Sequence, residues 1–492
     1  MLNSRRGALF AAVSSASIVL SSIAGPAWSE TLADAIALAY DSNPTLQSQR
    51  ALQRALDESW VQARTGFRPS ASATVRGTYQ ELRTPGAGPG RSITENNAGS
   101  AVLSLNQPIY TGGRVAASVS GAEADILAGR ENLRRVETQV LGQVILAYVD
   151  VRRDIEGLRI RQENVKVLRR QLEESKARFD VGEITRTDVA QSEARLAAAI
   201  AQLQSSQAQL DISRSNYRAT VGQTPGDLAP EPSLAALMPA TIDQAYDAAE
   251  SDNGQIRAAQ YNEQSSRANV AQSRAERMPT VSLQGSVGFS GIASPLHTED
   301  YARSLTGAAV VTVPLFSGGL ISSRIRSAVE RNNADRIGVE TARRSVQQGL
   351  TQAWSSLIAA RGNIDATDQQ VRAARIAAEG VHQEQQVGLR TTLDVLNAEQ
   401  ELRSAELAQI NARHDEYAAA ASVLAQMGRL EASHLTPNVP HYDPRANYNS
   451  LRMTWGWTPW EEPIAIVDGI GTPKITEKPL RSSPALGVPT PK

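Results

Sequence analysis

The stretch VGLRTTLDVLNAE, residues 387–399, repeats VGEITRTDVAQSE, residues 181–193, at the spacing V-G-x-x-T-x-x-D-V-x-x-x-E. Working outward from this pair, the chain aligns on itself. TLADAIALAYDSN from Thr31 faces TIDQAYDAAESDN from Thr241. RPSASATV from Arg68 faces MPTVSLQG from Met278, and QPIYTGGRV from Gln107 faces VPLFSGGLI from Val313. Ordered internal repetition of this kind means pseudo-equivalent neighbours in one shell. The halves are residues 30–225 and 241–430, joined by a linker at 226–240 and followed by a proline-rich tail at 431–492.

Both halves carry the same signals in the same order. A helical stretch at 43–66, or 253–277, stops at Pro69 or Pro279, because proline cannot continue a helix. Period-two alternation follows, predicting β-hairpins at 68–110 and 279–316. Ala71, Ala73, Val75, Gly77 and Tyr79 oppose Ser70, Ser72, Thr74, Arg76 and Thr78. The return strand sets Ala101, Leu103 and Leu105 against Ser100, Ser104 and Asn106. The second hairpin repeats the pattern with Val281, Leu283, Val287 and Phe289. The expectation is four strands of about ten residues, a length and pattern that suit a transmembrane barrel. A soluble hairpin pair packed on a core is the alternative. Pro108 and Pro314 are expected to close the strands.

Long helices at 113–180 and 318–386 follow, with return helices at 188–221 and 391–428. Val144, Val151, Leu158, Val165, Leu172 and Phe179 recur by seven, as do Leu350, Leu357, Ile364, Val371 and Ala378. Sustained heptads argue for coiled coil. Each long helix would span on the order of 100 Å. A return helix covers half of that, and the short helix before the strands supplies the rest when stacked end to end.

Composition removes several classes. The net charge of -1 lacks the basic excess of a nucleic-acid binder. The absence of cysteine excludes disulfides and thiolate metal sites. No phosphate loop, nucleophile constellation or histidine spacing for a metal is present, so no enzyme, cofactor or metal is expected. Residues 1–29 read as an export signal: Arg5 and Arg6, an apolar run, then Ala27-Trp28-Ser29. In the tail, Trp455, Trp457 and Trp460 cluster; the tail is expected to lie over the helices, with a membrane-interface anchor as the alternative.

Four strands cannot close a barrel, for which about eight are the minimum. An open sheet edge is excluded from lipid, so copies must assemble. The duplicated helix–hairpin–helix order, the MPTVSL, VPLFSGG and QPIYTGG strand ends and the two V-G turns resemble the TolC family. That resemblance implies a mainly α fold with β: a trimer with a twelve-stranded transmembrane β-barrel running into a long α-helical coiled-coil barrel. It implies an outer-membrane exit duct for an efflux pump or type I secretion system, extending into the periplasm. Its partners would be its own copies, a periplasmic adaptor (membrane fusion protein), an inner-membrane transporter and outer-membrane lipid. The other function class is a soluble periplasmic coiled-coil scaffold.

From the residues alone, Gly182 and Gly388 suit tight helix ends, and Thr187 or Asp188 can cap the next helix. The resemblance implies that the turns form the periplasmic tip. There Asp394 would form an acidic ring at the constriction, with Asn397 where the family places a second acid. Arg390 would latch onto Thr187 and Asp188, and Gln385 stands where the family has a supporting tyrosine. Val181, Gly182, Glu183, Val387, Gly388 and Leu389 would meet the adaptor.

Overall fold

The computed structural model describes residues 29–85, 91–292, 301–436, 440–475 and 477. Except for Ser29, the export signal lies outside the described residues, as does most of the loop at 84–90. In chain order the first half is α1 (Leu32–Ser42), α2 (Pro44–Arg64), β1 (Ser70–Pro85), β2 (Arg91–Tyr110), α3 (Arg114–Asp180) and α4 (Arg186–Val221). The second half is α5 (Ile242–Asp252), α6 (Gly254–Ala275), β3 (Thr280–Ile292), β4 (Ala302–Thr312), α7 (Leu320–Gln386) and α8 (Thr392–Met427). Three short helices follow: α9 (Ala432–Leu435), α10 (Pro444–Ser450) and α11 (Glu461–Asp468).

The helices α3 and α7 each hold 67 residues, on the order of 100 Å at 1.5 Å per residue. Each is entered through a Gly-Gly pair whose glycines adopt positive φ: Gly112 and Gly113, or Gly318 and Gly319. The heptad residues form the seams. Val144, Val151 and Val165 of α3 are buried, with Leu210 and Tyr217 of α4, and the second hairpin buries Leu350, Leu357, Val371, Leu402 and Leu424. Phe179 departs from this pattern. It is 42% exposed, so the first seam ends before the turn.

The end-to-end stacking is built by one asparagine in each half. The Asn43 side-chain oxygen accepts from Thr45 N–H at 2.9 Å, capping α2, while its Nδ2 donates to Thr220 O at the end of α4 at 2.9 Å. Asn253 does the same between α6 and α8, accepting from Gln255 N–H at 2.8 Å and donating to Gln426 O at 2.8 Å. A single amide thus satisfies orphan groups at two helix ends. The main apolar core surrounds these splices, where α1, α3, α4, α7 and α8 bury Ile36, Leu141, Ile145, Tyr217, Leu350 and Leu424. Tyr148 ties the linker in, donating to Glu30 O at 2.9 Å and Ala229 O at 2.6 Å.

The strands form one antiparallel sheet in the order β1-β2-β3-β4, leaving β1 and β4 as its edges. Ala73, Leu103, Val287 and Leu305 lie in one cross-strand row, and Ser72, Ser104, Ser286 and Thr306 lie in the adjacent row on the other face. Two expectations need correction. The first hairpin is longer than ten residues per strand, at 16 and 20, because its ladder continues past Tyr79 into polar sequence. Pro108 does not close β2. It lies opposite Ser282, and the register shifts between Pro108 and Tyr110, a bulge where the missing N–H is tolerated.

Candidate functional site

The two long helices end in the same way. Gly182 has φ 78° and Gly388 φ 81°, the left-handed conformation that glycine adopts without Cβ strain. Gly182 N–H donates to Phe179 O and Glu183 N–H to Arg178 O, both at 2.9 Å. Gly388 N–H donates to Gln385 O at 2.9 Å and Leu389 N–H to Glu384 O at 2.8 Å. This pair of bonds is a Schellman motif. Two residues later the return helix starts with a capping box. Asp188 N–H donates to Thr185 Oγ1 at 3.3 Å, and Thr185 N–H donates back to Asp188 Oδ2 at 2.9 Å. Thr391 and Asp394 reproduce it at 3.2 and 3.0 Å. The V-G-x-x-T-x-x-D spacing is therefore one helix stop followed by one helix start.

The cap itself is Thr185, not Thr187 or Asp188. Thr185 is the last extended residue before α4, and Asp188 is the third residue of the helix, where it closes the box. Hydrogen bonds from the Thr391 backbone N–H and hydroxyl hold the Asp394 carboxyl below the usual carboxylate range. Arg390 does not reach Asp188 or Thr187 through the bond that was expected. Its Nε donates to Glu384 Oε2 at 2.8 Å, six residues back on the same turn. Asp188 is engaged by Thr185. Gln385 is buried, and its side-chain oxygen has no hydrogen-bond partner.

Around these bonds the turns present apolar side chains to solvent. Val181, Val387 and Leu389 are 77%, 71% and 75% exposed. Gly182 and Gly388 have nothing within 4 Å of where a Cβ would stand. Glu183 is exposed beside them, 3.9 Å from Arg178.

A second layer, not anticipated from the sequence, joins the two hairpins just above the turns. Leu396 of α8 is 2% exposed and packs with Val165 and Leu168 of α3 and Ala199 of α4. One residue on, Asn397 Oδ1 accepts from Arg195 Nη2 of α4 at 3.0 Å, and Gln400 accepts from the same guanidinium. Higher up, His414 of α8 lies between Asp150 of α3 and Asp415, both at 2.9 Å. The bond to Asp150 raises the imidazole pKa above its ordinary value, and Arg153 Nη1 donates to the same Asp150 Oδ1 at 2.9 Å.

At the opposite end of the long helices stands the open sheet. Val75, Leu305, Leu103 and Phe289 all lie on one face of it, and nothing among the described residues covers them. No described helix is long and apolar enough to cross a membrane, so the sheet is the described element whose exposed face suits lipid. No described group of His, Cys, Asp or Glu could hold a metal ion.

This geometry matches a known family. The chain matches the outer membrane efflux protein family over residues 35–223 and 245–429, one span for each half. The chain belongs to that family. It is 34% identical to the outer membrane efflux protein BepC of Brucella suis over 429 residues, covering 87% of this chain and 92% of BepC. It is 25% identical to the outer membrane protein TolC of Vibrio cholerae, covering 81% and 91%. In fold it is similar to the Campylobacter jejuni CmeC outer membrane channel, with a TM-score of 0.71 at 14% identity, over 85% of this chain and 88% of that one. The protein is thus an outer-membrane member with its helices extending into the periplasm, a coiled-coil helical fold carrying a β-sheet.

Proposed function

We propose that this efflux family member is the passive outer-membrane exit channel of a tripartite efflux pump or type I secretion system. The observation that carries the reading is the open four-stranded sheet with its bare apolar face at one end of 67-residue helices. Lipid requires every backbone polar group to be paired, and β1 and β4 each offer an unpaired edge. Three copies joined β4 to β1 would close a cylinder wide enough for a passage. A soluble periplasmic scaffold would instead bury that apolar face. The reading involves no catalysis; energy would come from an inner-membrane transporter, coupled through a periplasmic adaptor.

The V-G turns then form the closing end. Three copies of Asp394 around the axis would make an acidic ring that favours cations. Asn397, uncharged where a second acid would stand, would weaken a second ring at the constriction; its amide oxygen accepts from Arg195. Val181, Gly182, Glu183, Val387, Gly388 and Leu389 form the exposed rim that supports adaptor docking. Arg390 is the switch we assign to this end. Its exchange from Glu384 to Thr187 or Asp188 would couple the two turns, and an exposed pair of this kind contributes about 0.2–1 kcal/mol.

Fractionation and planar-bilayer recording test the reading together. The native particle should sediment with outer membranes as a heat-modifiable trimer and conduct at low level when closed. A monomer that stays with the periplasmic fraction would overturn it. Arg390→Ala should raise the closed-state conductance, and an unchanged value would remove the switch while leaving the channel.

A further inference from the structure

The segment after α8 reaches the strand–helix joint at α11, fixed there by two buried carboxylates. Glu461, fully buried, accepts from Arg64 Nε at 2.6 Å and Arg68 Nε at 2.9 Å. Asp468, 1% exposed, accepts from Thr111 N–H at 2.7 Å, Thr111 Oγ1 at 2.8 Å, Gly113 N–H at 3.1 Å and Ala116 N–H at 3.2 Å. It supplies the cap of α3 that Gly113 has no side chain to make. The segment is therefore held in one place. Its polarity is inverted relative to a segment packed on a protein in water. The carboxylates at both ends of α11 point inward, while Trp455 is fully exposed and Trp457, Trp460, Ile466 and Ile470 face outward.

What lies in front of these side chains follows from the sheet. Trp460 Nε1 donates to Gln107 Oε1 at 3.1 Å. Gln107 stands opposite Leu283 in the ladder, on the same face as Leu103 and Leu105, the face left bare for lipid. The tryptophan cluster thus continues the apolar face at the point where the strands give way to helices. An indole, apolar in body with one N–H donor, partitions to that depth of a bilayer.

We propose that the segment from Met453 to Ile470 is an interfacial foot, seated among the phospholipid headgroups of the periplasmic leaflet, with Trp455, Trp457 and Trp460 as its anchors. The proposal rests on the outer-membrane channel reading. It makes the tail a depth stop that fixes how far the sheet enters the membrane.

Depth-dependent quenching tests it on the full trimer, reconstituted in phosphatidylethanolamine/phosphatidylglycerol vesicles with the helices outside. The lipids carry bromine either near the headgroup end of the acyl chain or near the bilayer centre. Wild type is compared with Trp455→Phe/Trp457→Phe/Trp460→Phe, and Leu103→Trp placed in that triple variant reports sheet insertion. The expected result is a component quenched by shallow bromine in wild type and lost in the triple variant, with Leu103→Trp quenched by deep bromine. If Leu103→Trp is quenched while the tail component is not, the foot is refuted and the channel reading stands. Tail tryptophans shielded from both lipid bromine and aqueous acrylamide would mean that a neighbouring copy covers them, which also refutes it. If Leu103→Trp escapes quenching as well, the membrane reading itself has failed.

Discussion

Truncating Leu396 to alanine should open the channel without unravelling its coiled coils. Leu396 belongs to the small apolar cluster that joins the two hairpins near the turns, with Val165, Leu168 and Ala199. The seam residues of each hairpin lie elsewhere, for example Val371, Ala374, Ala378, Leu402 and Ala405 between α7 and α8. Leu396→Ala therefore removes contact between hairpins and leaves each hairpin's own seam intact. A buried leucine-to-alanine change costs about 2–5 kcal/mol; for a small cluster that can relax, about 2 kcal/mol per chain applies. At 1.4 kcal/mol per decade this is roughly a 30-fold shift per subunit toward the separated arrangement. The assay is single-channel conductance of the purified trimer in planar bilayers, with helix content followed by circular dichroism. Leu402→Ala is the matched control, the same chemistry placed in a seam; it should lower the melting temperature more than it raises conductance. Unchanged conductance in Leu396→Ala, or equal opening in Leu402→Ala, would refute the assignment of Leu396 to the joint between hairpins.

Three further outcomes follow from the turn, the joint between hairpins and the strand–helix junction. Asp394→Asn keeps an acceptor for the Thr391 N–H but removes the charge, so helicity should persist while the reversal potential in a salt gradient moves toward the nonselective value; an unaltered potential would take Asp394 out of the constriction. His414 has its pKa raised above the ordinary 6.5 by Asp150, so its contribution is whole below that value and fades as pH rises through the raised one. Wild-type thermal stability should therefore fall across that window while His414→Gln stays flat, and parallel curves would show that the link between α8 and α3 does not depend on the proton. Asp468→Ala strips four hydrogen bonds from the start of α3 and should cost about 2 kcal/mol or more, read as a lower melting temperature and faster proteolysis of the tail; a wild-type melt would mean that the cap is replaced by water.

Much of this architecture is written in local periodicity. Spacing by seven, with no proline from Pro108 to Pro225, predicts α3, the return turn and α4. Alternation by two marks the face of the sheet that carries Ala73, Leu103, Val287 and Leu305. The repeated V-G-x-x-T-x-x-D spells a helix stop and a capping box within eight residues, so every partner is close in sequence. The same signature held the correct cap, since Thr185 rather than Thr187 stands three residues before Asp188. The splice was also within reach, because an asparagine ends both TLADAIALAYDSN and TIDQAYDAAESDN. Its donation to Thr220 or Gln426, however, crosses more than 170 residues.

The sequence by itself thus determined the duplication, the helix and strand periods and the two turns, because each depends on residues within a few positions of one another. Only the tertiary structure decided that Leu396 and Arg195 join the hairpins, and that Asp468 caps a helix more than 350 positions away. Those choices are made by which polar or apolar groups the packed helices bring within a few ångströms. A side chain's hydrogen-bonding capacity is visible in a sequence, but the partner that satisfies it is set by the approach of distant backbone, which no local pattern encodes.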